Sequence, residues 1–299
     1  MAKDVAPLEL RNFTKQYDSF RAVDNISLEL KRGEVFGFLG PNGAGKSTTI
    51  RSIMNFMQPS YGSILINGKD SVDNSVDNMQ QIGYLAGDIA LYDNMTGKQL
   101  INYLSGLGKK TSKKRIDELV TKLEATLDRK IGDLSKGNKQ KIGLIQAFMH
   151  SPELLILDEP TSGLDPLMKQ VFYDLVLEAK KDGKTVFVSS HDLSEVQKIC
   201  DRAAFIRNGE LISVEDIHSA MNIEFKRFLV KFTKKPPLKE FTKLKNIEAK
   251  NHDDNQIEFT LTGNLSGFMS AVAKHNPIDL NEIDATLEDV FMHYYERKS

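Results

Sequence analysis

The sequence predicts an α/β fold built on a parallel sheet, followed by a smaller α+β unit, and three observations carry that prediction. Residues 34–39 read as a buried strand, 40–48 as a glycine-rich loop, and 48–58 as a helix stopped by Pro59. From Leu154 through Val186, Phe187 and Val188, apolar strands alternate with helical segments, which implies parallel pairing. Beyond residues 217–222 the texture changes to β-α-β-β-α-β with a closing helix, a ferredoxin-like order.

Along the chain, residues 8–17 and 22–30 form a predicted β-hairpin, because Asn25, Ile26, Ser27, Leu28, Glu29 and Leu30 alternate with period two. After the glycine-rich loop come a short hairpin around residues 62–68, a strand at 81–86 and a helix-rich stretch at 96–127. In the last part, residues 228–232, 247–250, 256–261 and 279–283 read as strands, and 237–244, 265–275 and 287–297 as helices. The expected organisation is a domain of residues 1–218, with a helical subdomain at about 88–150, and a C-terminal accessory unit at 219–299.

A formal charge of -1 over 299 residues argues against a global electrostatic grip on nucleic acid. The single cysteine, Cys200, excludes an intrachain disulfide and fits a reducing compartment. Asp4 and Pro7 stand where a secretory leader needs an apolar run, so the chain is expected in the cytoplasm. No stretch approaches the roughly 18 to 20 apolar residues that a bilayer span requires. Any membrane role therefore goes through a partner.

Gly40-Pro41-Asn42-Gly43-Ala44-Gly45-Lys46-Ser47-Thr48 fills every fixed position of G-x-x-x-x-G-K-[ST]. The glycines let several backbone N–H groups point at one anion, and the helix N-terminus that follows adds its partial positive charge. Lys46 supplies a full charge to the β- and γ-phosphates of a nucleotide, the Ser47 hydroxyl a Mg²⁺ ligand, and Thr48 a contact to the α-phosphate. Residues 154–157 end in Asp158 and Glu159, and acids closing an apolar strand are costly unless a cation or a reaction uses them. Asp158 is the natural Mg²⁺ partner, and Glu159 the natural group to orient an attacking water.

Three further segments and one aromatic residue resemble the ATP-binding cassette family. Leu134-Ser135-Lys136-Gly137-Asn138-Lys139-Gln140-Lys141 is similar to its LSGGQ signature, Ser162-Gly163-Leu164-Asp165 to its D-loop, and Ser189-Ser190-His191-Asp192 to its histidine switch. Tyr17 resembles the aromatic that stacks on adenine, with Phe20 the other candidate. The resemblance covers about residues 5 to 217 and keeps the family's motif order. It implies ATP and Mg²⁺ as cofactors, Glu159 and His191 as the catalytic pair, and Ser135, Gly137 and Asn138 as contacts to a γ-phosphate held by a second subunit. Asp165 acquires a cross-subunit role on the same ground.

The chain departs from the family pattern twice. Lys136 and Asn138 replace one glycine and the glutamine of the signature. After Ile82-Gly83-Tyr84-Leu85-Ala86, where a Q-loop glutamine commonly stands, the chain has Gly87 and Asp88, and Asp88 is the candidate replacement as metal or water contact.

The family resemblance further implies a homodimer of two cassettes, a separate transmembrane permease, and a peripheral position on the inner face of the membrane. The stretch 89–95 is apolar for a loop and, by resemblance, would meet the permease. The closing Leu287-Glu288-Asp289-Val290-Phe291 and the lysine-rich signature resemble the bacterial ABC-2-type group of multidrug and antibiotic exporters. The competing reading is a soluble cassette acting on ribosomes or nucleic acid. Its one argument is a tail with nine Lys/Arg against three Glu at 222–250, and three against nine Asp/Glu at 251–299. A solvated or mutually paired face is the plainer account of that tail, and no specific nucleic-acid partner is expected.

Overall fold

Strands buried along their whole length need a neighbour on both faces, and these supply the centre of the first unit. The computed structural model describes residues 5–107, 111–221, 225–234, 236–241, 247–253, 255–262 and 265–283. By contacts the chain divides into Met1–Asp216 and Ile217–Ser299.

In the first unit, β1 (Leu8–Tyr17) and β2 (Phe20–Glu29) form the expected hairpin, with Tyr17 opposite Phe20. The fully buried β3 (Val35–Leu39) leads through the glycine-rich loop into α1 (Lys46–Ile53). Then follow β4 (Tyr61–Ile66), β5 (Lys69–Asp70), α2 (Ser75–Met79) and β6 (Ile82–Leu85). Helices α3 (Gly97–Ser105), α4 (Lys113–Leu123) and α5 (Lys136–Phe148) occupy the helix-rich middle of the chain. The chain returns through β7 (Leu154–Asp158), α6 (Pro166–Lys181), β8 (Thr185–Ser190), α7 (Leu193–Ile199), β9 (Arg202–Arg207) and β10 (Glu210–Asp216).

Two sheets result. One is the antiparallel order β2-β1-β4-β5; the other is β10-β9-β3-β8-β7-β6, parallel except for β10 at its edge. Phe13 and Ile26 from the first sheet and Phe36, Phe38, Ile156 and Phe187 from the second share one buried core. The topology also positions the site. Because β3, β8, β7 and β6 are parallel neighbours, their carboxyl ends place Gly40, Ser190, Asp158 and Ala86 along one edge, where open α/β sheets bind ligands.

Helix α1 ends at Ile53, short of the expected residue 58. Asn55 takes a left-handed φ of 52°, and the N–H groups of Phe56 and Asn55 close back on Arg51 O and Ser52 O. That is a Schellman stop, so the helix terminates before Pro59 is reached.

The second unit opens with α8 (Ile217–Met221) and contains β11 (Phe225–Phe232), β12 (Ile247–Asp253), β13 (Gln256–Thr262), α9 (Leu265–Ala273) and β14 (Pro277–Ile283). Its sheet order is β12-β13-β11-β14 with every pair antiparallel, the arrangement of a split β-α-β pair. Phe228, Phe232, Phe241, Phe259 and Phe268 fill a core of its own. Of the helix expected at 237–244 a single 3₁₀ turn, Leu238–Glu240, falls among the described residues, and the closing helix at 287–297 lies outside them. Basic and acidic halves of this unit meet internally: Lys226 pairs with Glu282 at 3.1 Å and Arg227 with Glu258 at 2.5 Å. The charge asymmetry of the tail is thus partly neutralised within the unit.

Candidate functional site

The glycine-rich loop is shaped by contacts that exclude side chains. A Cβ on Gly40 would lie 2.3 Å from Ile206 O, and Gly45, at φ 107°, would bring one to 2.7 Å from Ala22 O. Gly45 caps α1 with no side-chain hydrogen bond, so the loop presents backbone N–H groups to an anion. Ala44 is buried beneath the loop, while Asn42 and Ser47 line a cleft of about 540 Å³ with Asp88, Asp158, Glu159 and His191. Thr48 is half-buried beside them. Lys46 is 6% exposed and turned back into the loop: Nζ donates to Gly40 O at 2.6 Å and lies 3.2 Å from Glu159 Oε1.

The acids sit where β7 stops. Asp158 is buried and accepts a hydrogen bond from Ser189 Oγ at 2.5 Å, and that hydroxyl accepts from the Glu159 N–H at 3.0 Å. Glu159 has a φ of 46°, a left-handed value that a non-glycine residue adopts at some cost and that is often found at functional turns. This turn directs the carboxylate across the cleft. Glu159 Oε2 meets His191 Nδ1 at 2.7 Å, and Oε1 is buried without a hydrogen-bond partner, in charge contact with Lys46 alone.

Gly87 explains part of the departure after β6. A Cβ there would lie 3.1 Å from Asp158 Oδ2, so the glycine lets this backbone pass close to the carboxylate. Asp88, the next residue, is exposed and lines the same cleft. Tyr84 also lines it, and burial first, then the negative Asp158, raise its hydroxyl pKa.

The signature segment is built at the start of α5. Ser135 is its N-cap, and Oγ accepts from the Asn138 N–H at 3.3 Å. The Asn138 side chain is engaged elsewhere, accepting from Thr126 N and donating to Thr126 O, both at 2.9 Å. A Cβ on Gly137 would come 2.8 Å from Gly163 O, so this glycine lets α5 start against the 162–165 loop. Lys136 does not simply face solvent: its Nζ donates to Ser162 Oγ at 3.1 Å, and Ser162 lines the cleft. Asp165 caps α6, accepting from the Met168 N–H at 3.0 Å with Pro166 next in line.

Ser47, Asp88, Asp158, Glu159 and His191 therefore converge in one cleft, and Ser135, Gly137, Asn138, Asp165 and Tyr17 are not among its lining residues. Tyr17 is 43% exposed, its hydroxyl donating to Met57 Sδ at 2.9 Å, and Phe20 is more exposed still. Sequence reasoning overlooked Glu195, which is buried and bonded to Thr161, Lys169 and Ser190. An acid in register with Val196 and Ile199 on the buried face of α7 was the available signal.

Residues 23–162 match the family described as ABC transporter. The ATP-binding protein NatA of Bacillus subtilis is 38% identical over 68% of this chain and 85% of its own. The bacitracin transport ATP-binding protein BcrA of Bacillus licheniformis is 37% identical over 69% of this chain and 68% of its own. A solved ATP-binding cassette, a dimer in a post-hydrolysis state bound to ADP and Pi, superimposes with a TM-score of 0.64. It is 25% identical and covers 70% of this chain and 98% of that one.

Proposed function

This chain belongs to the ATP-binding cassette transporter family as an ATP-binding, ATP-hydrolysing subunit, and on that premise we propose that it works as a homodimer driving a separate transmembrane permease, in the direction of export. The observation that carries the reading is the division of the motif residues between two places on one chain. Ser47, Asp158, Glu159 and His191 line the cleft, with Lys46 Nζ 3.2 Å from Glu159 Oε1, whereas Ser135 and Gly137 stand outside its lining, at the start of α5. A second copy supplies the missing half: the α5 N-terminus of each chain faces the γ-phosphate bound by the other.

Within a site so completed, Lys46 leaves Gly40 O and Glu159 for the phosphates. Glu159 is then free to hold the attacking water, and His191, already in contact with Glu159, to meet the γ-phosphate. Ser47 and Asp158 would hold Mg²⁺, with Asp88 at the same cleft. That donor set fits: one buried carboxylate, Asp158, and one hydroxyl, Ser47, line the same cleft. Mg²⁺ takes one or two protein carboxylates and completes its shell with phosphate and water. When bound, the ion neutralises charge across the β- and γ-phosphates.

Among the described residues no helix is long and apolar enough to cross a membrane. The proposed membrane association, on the family resemblance, is peripheral, through the permease, with the ATP sites facing the cytoplasm. In the stretch 89–95, Ile89 packs inward toward Gly143, while Tyr92 is 61% exposed. Tyr92 is the residue offered to the permease.

Export follows the ABC-2-type resemblance, and BcrA is a bacitracin transport ATP-binding protein. The C-terminal unit of residues 219–299 is assigned an accessory role. The test is recovery of the tagged chain from washed membranes. Co-purification with an integral-membrane protein of about six apolar spans supports the reading. Co-sedimentation with ribosomes, and none with membranes, would replace it with the ribosome-directed alternative.

A further inference from the structure

A buried carboxylate that the proposed reaction leaves unused lies on α7. Glu195 is 5% exposed and both its oxygens are occupied. Oε1 accepts from Thr161 Oγ1 at 2.5 Å and from Lys169 Nζ at 2.8 Å, and Oε2 accepts from Ser190 Oγ at 3.0 Å. Each partner belongs to a functional segment. Thr161 lies two residues after Glu159, Ser190 immediately before His191, and Lys169 on α6, whose cap Asp165 closes the 162–165 loop.

The contacts are also directional. Ser190 Oγ accepts from the Asp192 N–H at 2.9 Å and donates to Glu195 Oε2 at 3.0 Å, the shorter of its two acceptor contacts, the other being Asp192 O at 3.4 Å, and the backbone on both sides of His191 is thereby tied to one carboxylate. The His191 side chain is itself 61% exposed and contacts Glu159 through Nδ1. Its placement depends on the backbone that carries it. On the Lys169 side, the hydrogen bond to Glu195 raises the lysine pKa against an opposing effect of burial, and keeps the ammonium charged.

We propose that Glu195 is a positioning residue for hydrolysis: it fixes the His191 backbone relative to the Glu159 turn and to α6, so that movement of the 162–165 loop is carried to His191. This rests on the ATPase reading given above. An anchor of stability alone would make the same contacts, and the two roles separate in how Glu195 and His191 combine.

The experiment measures steady-state and single-turnover ATP hydrolysis of the full chain with Glu195→Ala, Glu195→Gln, His191→Ala and the double variants. Glu195→Ala is expected to lower kcat about tenfold or more, with KM and binding of a fluorescent ATP analogue within about twofold of wild type. Glu195→Gln, which keeps the shape but loses the ion pair with Lys169, falls between. In the His191→Ala background, the loss from Glu195→Ala is expected to shrink below about twofold, because the two residues act through one contact. Equal fold losses in both backgrounds, or a raised KM with kcat unchanged, would overturn the proposal. Should Glu195→Ala not fold, Glu195→Gln and Lys169→Met enter the same cycle under the same criterion. A wild-type chain without ATP hydrolysis sinks the ATPase reading itself; an active one with multiplicative losses sinks the positioning role alone.

Discussion

Glu159 stands in a left-handed turn with one oxygen on His191 and the other buried toward Lys46. Glu159 is the carboxylate proposed to hold the attacking water. Glu159→Gln keeps the shape and removes the base, so ATP binding is expected to persist while turnover falls by about a hundredfold or more. Turnover near wild type would remove the base assignment. Asp88→Ala addresses the metal side: the Mg²⁺ concentration for half-maximal hydrolysis should rise, and an unchanged Mg²⁺ dependence and rate would exclude Asp88. Cys200 supplies a control of a different kind. It is fully buried and burial pushes its thiol pKa well above the ordinary range, so native protein should resist alkylation and react once unfolded. Rapid labelling of the native chain would contradict its placement.

At the level of elements, the caps decide where helices begin and end, and they can be tested one at a time. Asp165→Ala removes the cap of α6 and should cost about 1 kcal/mol, or a melting shift of about 2 to 4 °C. A larger loss of hydrolysis than of stability would add the cross-subunit role to the cap. The same capping chemistry explains what could be read beforehand. Strands β3 and β7 are apolar at almost every position, and the loop and the acids follow them directly, so this part of the cleft was legible from order alone. The early end of α1 was not, because Asn55 adopting a left-handed turn is a weaker signal than the proline at 59. Lys136 and Asn138 were read against a pattern, yet their partners, Ser162 and Thr126, lie 26 and 12 residues away. Glu195 escaped for the same reason: its three-way junction exists in space and has no spacing in sequence.

For the molecule as a whole, each unit has its own core, and the described residues that line the cleft belong to the first. A chain ending after Asp216 should therefore bind ATP within about twofold of the full protein. Loss of binding on truncation would mean that the C-terminal unit completes the site. On the proposed reading one cleft is half of a site and ATP joins two chains, which the solution mass of Glu159→Gln with Mg²⁺ and ATP, with ADP, and with no nucleotide decides. The mass of two chains with ATP and of one chain otherwise is the predicted result; a single chain under all three conditions, with ATP demonstrably bound, would contradict it.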